Sequence, residues 1–176
     1  MGHRIQTILC VTGILFFLLG ACIFGMGVST PSAVAAIRQL EEAPGQVVYQ
    51  SRQTLQDQRG DRWQAIAFNR IRPDGSTSFY LRLVGFPGTA AIDHSRSLTL
   101  TTSLGQSFTA ADASSQIFTD ASAPANVGQY DLQPLIAQLQ ATIPVQLTLP
   151  ALNHDDILLP IASALIQEWQ TVAAYE

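Results

Sequence analysis

Lysine is missing altogether: all nine basic residues of the 176-residue chain are arginine. Without an ε-amine the chain can form no Schiff base, has no lysine general base, and cannot complete a Walker A loop, whose lysine reaches the outer phosphates. Cysteine is nearly as scarce. Cys10 and Cys22, the two present, both lie in an apolar leader, so a product cleaved behind it would have no thiol, no disulfide and no cysteine metal ligand. Charge is sparse at 12% of residues, and the net of -4 at pH 7 argues against nucleic acid as a partner, because a phosphate backbone is held by excess arginine and lysine. Against these absences stand 47% apolar residues, enough for one domain with a sizeable core and too many for a disordered tail.

The apolar excess is concentrated at the front. From Ile8 to Val28 the chain runs 21 residues without a charge, with Arg4 before it and no further charge until Arg38. That is the layout of a signal peptide or of a single membrane span, and Ala33, Ala35 and Ala36 supply the small residues a signal peptidase needs. Leu19-Gly20-Ala21-Cys22 resembles the box before a lipid-modified cysteine, but Ile23, Phe24, Met26 and Val28 continue the apolar run instead of opening a polar tether. The first two readings keep Arg4 inside and export the chain beyond Arg38. Residues 1–36 are therefore read as signal peptide or membrane anchor, and residues 37–176 as a single mainly β domain.

Within that domain, a short linker containing Pro44 and Gly45 leads to a strand from Val47 to Leu55, closed by the polar run Gln56 to Asp61. Trp63 to Arg72 and Ser78 to Val84 read as a hairpin around Arg72-Pro73-Asp74-Gly75-Ser76, in which proline presets φ and glycine supplies positive φ. If Asp74 and Gly75 form a two-residue loop, Phe68 faces Leu81 and Ile66 faces Leu83. A three-residue loop with a Gly75 bulge sets Ile66 against Arg82 instead. The first register gathers the apolar residues on one face and is the expected one. Leu98 to Thr102 and Gln106 to Thr109 form a second hairpin, and Ala110 to Gly128 reads as loop with Ile117 and Phe118 pinned to the core. Asp131 caps a short helix carrying Leu132, Leu135, Ile136 and Leu139. Val145, Leu147 and Leu149 alternate as a strand, and Pro160 opens a final helix with Ala162, Leu165, Ile166, Trp169 and Val172 on one face. The expected fold is mainly β (α+β), an antiparallel β-meander or partly open barrel with one or two helices packed on it.

Chemistry-bearing constellations are few. Behind the leader only His94, beside Asp93, and His154, beside Asp155 and Asp156, remain as histidines, without HExxH or other metal-ligand spacing. Neither metal nor cofactor is expected. No serine sits in G-x-S-x-G, so a hydrolase would have to assemble a serine, an aspartate and His94 or His154 from distant positions. Asp155 and Asp156 are adjacent and on an extended segment would point to opposite sides. Arg59-Gly60-Asp61 looks like an adhesion motif and reads as a hairpin tip.

Charge distribution is the unusual feature. Arg52, Arg59, Arg62, Arg70, Arg72 and Arg82 face only Asp57, Asp61 and Asp74 in the same stretch, whereas Leu83 onward carries Arg96 alone against eight acidic residues. Arginine-rich strands recognise carboxylates or phosphates bidentately, which makes Arg52, Arg70, Arg72 and Arg82 the candidate partner-binding residues. The plainer alternatives are pairing with the acidic half of the same domain, or a solvated face.

Tyr49-Gln50-Ser51-Arg52-Gln53, Arg62 to Phe68, Tyr80 to Gly88 and Asn126 to Pro134 together resemble a family of small exported cyanobacterial proteins classed only as a domain of unknown function. The resemblance spans Tyr49 to Trp169. It implies a cyanobacterial source and a periplasmic or thylakoid-lumen address, and it assigns no catalytic or binding residue. The expected role is a non-catalytic accessory or assembly domain that docks on a membrane protein complex, with membrane contact through residues 1–36 if they are retained. A small β-barrel holding an apolar ligand and a His-dependent hydrolase are the alternatives, and the oligomeric state is left open.

Overall fold

Proline and glycine at positions 44 and 45 do not end a linker; they turn a hairpin. The computed structural model describes residues 37–117, 123–152 and 154–176, so the leader and Phe118 lie outside the described residues. β1 (Arg38–Ala43) pairs antiparallel with β2 (Gln46–Gln56) across a turn in which Gly45 takes φ +75°. β3 (Arg62–Ile71) and β4 (Thr77–Gly85) continue the meander, and after an intervening hairpin β7 (Val127–Asp131) closes a five-stranded antiparallel sheet in the order β1-β2-β3-β4-β7. That hairpin, β5 (Leu98–Thr102) and β6 (Ser107–Ala110), joins β8 (Val145–Leu149) and β9 (Ile157–Ile161) in a four-stranded sheet, order β6-β5-β8-β9. Both sheets have free ends in their strand order, so the architecture is a meander with open sheets and not a closed barrel.

The expected register of the β3–β4 hairpin is corrected. Phe68 pairs with Tyr80 and Ile66 with Arg82. The backbone N–H of Arg72 donates to Ser76 O and that of Gly75 to Arg72 O, both at 2.9 Å, and Gly75 sits at φ +78°. This is a three-residue Pro73-Asp74-Gly75 loop with a glycine bulge. Alternation could not decide between the registers, because β3 is apolar on both faces: Trp63, Ala65 and Ala67 alternate with Ile66 and Phe68, all buried. Turn chemistry decides, and a slip by one moves every side chain of β4 to the opposite face.

The odd-numbered side chains of β3 and β4 (Trp63, Ala65, Ala67, Phe79, Leu81, Leu83) share one core with Leu98, Leu100, Val145, Leu147, Leu149, Ile157, Leu159 and Ile161 of the second sheet. The C-terminal helix α1 (Ser163–Ala173) adds Leu165, Ile166, Trp169 and Val172, four of the five residues read as its apolar face, while Ala162 is its exposed N-cap and stays outside the core. It is tied down at its end, where Asn69 Nδ2 donates to the carbonyls of Ala173 (3.3 Å) and Tyr175 (2.8 Å) and the Tyr49 and Tyr175 rings stack with centroids 4.0 Å apart.

Two helical expectations are corrected. Pro160 does not open the helix; it lies exposed in β9, an edge strand, where the missing N–H costs no ladder bond if it points outward. The helix expected behind Asp131 shortens to a turn and a 3-10 segment, Ile136–Gln138, because Asp131 ends β7 and Leu132 N–H is taken by Phe79 O. Leu132, Leu135, Ile136 and Leu139 are nevertheless all buried. Among the described residues no helix is long and apolar enough to cross a membrane.

Candidate functional site

Strand pairing assembles the arginines. Arg52 on β2 lies opposite Ile66 on β3, which lies opposite Arg82 on β4, which lies opposite Gln129 on β7. Arg70 pairs with Val48 and Ser78 further along the same face, the one turned away from the shared core. Phe68 sits between them, with the Arg82 and Arg70 guanidinium carbons 5.2 Å and 5.6 Å from its ring centroid. Val48, Ile66, Phe68, Tyr80 and Ala113 form a second, small apolar cluster on this outer face. The arginine stems can cover such a cluster while their heads stay polar, and each cation–ring contact adds about 0.5–1 kcal/mol.

The cations outnumber the anions on this face. Arg70 donates to both carboxylate oxygens of Glu42 (2.9 and 3.4 Å), a residue of β1 that also accepts from Gln46 Nε2 at 2.9 Å. Burial pushes the Glu42 carboxyl up, but the hydrogen bonds and charge of Arg70 outweigh it and hold it below the usual glutamate range. Among the described residues Arg82 has only a neutral acceptor: its Nε and Nη2 both donate to Gln129 Oε1, at 3.1 and 2.7 Å. Desolvation lowers its pKa, and repulsion from Arg70 and Arg52 adds to this while Glu42 partly offsets it. Arg52 likewise donates to a neutral group, Gln50 Oε1 at 3.3 Å. Arg70 is paired with the Glu42 carboxylate and Arg82 feels its charge, whereas Arg52 has no anionic partner among the described residues, an arrangement that an incoming carboxylate or phosphate would relieve.

Arg72 does not join them. It stands past the end of β3, at the turn, with Nη1 3.4 Å from Ser76 Oγ. The acidic second half does not supply the missing anions either: the ion pairs among the described residues are Arg70–Glu42, His94–Asp112 and Arg96–Asp156. Sequence reasoning missed Phe68, Tyr80, Glu42 and Gln129. Glu42 was hidden in a supposed linker, and the aromatic pair appears only once the hairpin register is right.

The histidine loops are built differently. Asp112 accepts from Ser114 N–H at Oδ1 (2.8 Å) and from the Ser114 hydroxyl at Oδ2 (2.9 Å), and His94 Nδ1 lies 3.2 Å from the same Oδ2. The carboxylate therefore stands between serine and imidazole, whereas nucleophilic activation needs the imidazole against the hydroxyl. His154 is exposed in the β8–β9 loop, close in sequence to Asp156, which Arg96 grips with both Nη atoms at 2.9 Å. No group of three or more His, Cys, Asp or Glu side chains suited to a metal occurs among the described residues. A cleft of about 550 Å³ between β5, β8 and β9, lined in part by Thr101, Val145, Gln146, Pro160 and Ile161, contains no ionisable side chain.

Beside Asp112, Tyr130 is fully buried with a hydroxyl that has no partner among the described residues. Gly128 leaves the room for it, since a Cβ there would stand 2.8 Å from that hydroxyl. Burial pushes the phenol pKa well up, and the Asp112 and Asp93 charges add to the shift. A folded pKa above the unfolded value of about 10 means that its contribution is complete below about pH 10 and is lost as pH rises beyond it. Tyr130→Phe is therefore expected to keep stability at pH 7 within about 1 kcal/mol or to raise it, because it removes a buried, unpartnered hydroxyl, and to weaken the alkaline loss of stability. Urea titrations of both proteins at neutral and alkaline pH check this; a loss above about 2 kcal/mol at pH 7 would show the hydroxyl to be hydrogen-bonded.

Neither a curated protein nor a solved structure matches the chain. A family model described as "Protein of unknown function (DUF3122)" matches residues 35–172, more than half of the chain, and the chain belongs to that family.

Proposed function

We propose that this member of the family is a non-catalytic accessory or assembly domain that docks on an acidic surface of a membrane protein complex through the outer face of its five-stranded sheet. The observation that carries the reading is the placement of Arg52, Arg70 and Arg82 on one face of the sheet, Arg70 and Arg82 against the Phe68 ring and Glu42 bound to Arg70. Arginines held on rigid strands, with stems packed on aromatic and aliphatic side chains, lose less freedom on binding a carboxylate than mobile surface arginines do. We place the domain outside the cytoplasm, in the periplasm or thylakoid lumen of a cyanobacterium; the uncharged run from Ile8 to Val28 and the family resemblance support that address.

Full-length protein used as bait on detergent-solubilised membranes tests the docking role. Partners are expected to be captured at low salt, where charge attraction reaches about 30 Å, and released near 1 M salt, where it reaches about 3 Å. The triple variant Arg52→Gln, Arg70→Gln, Arg82→Gln is expected to capture none of them. Retention of the same partners by the triple variant in high salt would remove this face from the account.

A further inference from the structure

We propose that β1 is the contact of a homodimer, in which two copies pair their β1 strands antiparallel about a two-fold axis through Leu40 and join their five-stranded sheets edge to edge. β1 ends the strand order of its sheet, all six of its residues are exposed, and Leu40 is 45% exposed. Its outward backbone groups form a ready template for another strand.

A second copy fits this edge in one register. A two-fold axis normal to the sheet keeps each side chain on its own face, so the pairing must centre on a residue and not between two. Centring on Glu41 would set Glu41 against its own copy, a like-charge contact. Centring on Gln39 would set Arg38 against Leu40 and give neither charge a partner. Centring on Leu40 sets Leu40 against Leu40, Gln39 against Glu41, and Arg38 against Glu42 twice over. Glu42 stands at the bulge of β1 with Oε2 taken by Arg70 Nε and Gln46 Nε2, at 2.9 Å each, and its Oε1, whose contact to Arg70 is a long one at 3.4 Å, is the oxygen that a second arginine would reach. Arg38 of one copy and Arg70 of the other would then grip one carboxylate between them, a networked pair instead of an isolated surface bridge. The contact is short, so the dimer forms in a concentration-dependent equilibrium.

Analytical ultracentrifugation of the full-length protein, at fixed detergent and several protein concentrations, tests the pairing independently of any docking partner. The parent is expected to move toward dimer as concentration rises. Arg38→Glu and Glu42→Arg each place like charges opposite one another in the dimer, and each is expected to weaken self-association about ten-fold. An equimolar mixture of the two variants makes both contacts complementary again and is expected to restore the dimer as a heterodimer. Leu40→Asp, at an exposed position the fold should tolerate, is expected to dissociate it without loss of the folded circular-dichroism spectrum. A parent that stays monomeric at its highest soluble concentration, variants that associate like the parent, or a mixture that fails to recover would each overturn the pairing.

Discussion

Replacing Trp169 by alanine is expected to lower the unfolding free energy by about 3–5 kcal/mol, the range for removing a large aromatic side chain from a packed core. Trp169 is 1% exposed and stands on the same face of α1 as Leu165, Ile166 and Val172. The helix is held from the side as well, since Gln170 Nε2 donates to the carbonyls of Leu139 (2.7 Å) and Ile136 (3.3 Å), which limits how far the helix can settle into the vacated space. Gln167→Ala, on the exposed face of the same helix, is expected to change stability by no more than about 0.5 kcal/mol. Denaturant titrations of both variants separate core packing from helix propensity, and a Trp169→Ala loss below about 1 kcal/mol would mean that α1 is not docked.

The next largest effect is expected at Asp57, a 7%-exposed carboxylate that organises the β2–β3 turn. Its Oδ1 accepts from the backbone N–H groups of Arg59 (2.8 Å) and Asp61 (3.0 Å), while Oδ2 accepts from Trp63 Nε1 at 3.1 Å. Alanine would leave the buried indole N–H without a partner and release the turn, at a cost of about 2–4 kcal/mol. Asparagine in place of the aspartate would keep one acceptor oxygen for the turn but present N–H to the indole N–H, or the reverse. Asp57→Asn is therefore expected to lose less than Asp57→Ala and still fall short of the parent. Equal stability of all three proteins in urea titrations would show that the carboxylate does not hold the turn.

Sequence and structure agree where local chemistry and burial point the same way. Val145, Leu147 and Leu149 alternate and are buried in β8, and β5 and β6 form the second hairpin, turned at Gly105 with φ +85°. Disagreement arises where one pattern serves two backbones. The spacing of Leu132, Leu135, Ile136 and Leu139 suits a helix, but a turn followed by one 3-10 segment buries the same residues. A proline after an apolar run suits a helix start, but it also suits an edge strand, and the edge position of β9 is a property of the whole sheet that no window of sequence contains. β1 is not legible in the sequence because all its residues are exposed and no alternation marks it. The arginine face was legible in part: Arg52, Arg70 and Arg82 follow from the even numbering of their strands once the hairpin has its bulge. Arg72 shares that parity but lies beyond the strand, where parity no longer assigns a face.

That distinction supplies the most direct test of the docking face. Arg52→Gln, Arg70→Gln, Arg82→Gln and Arg72→Gln each remove one positive charge, so all four single variants have the same net charge and differ only in where the charge was lost. In low-salt capture from solubilised membranes, the first three are each expected to reduce recovered partner about three-fold or more, and Arg72→Gln to match the parent. Equal losses across all four would make net charge the whole effect, and no loss in any of them would leave the outer face of the sheet without a role in docking.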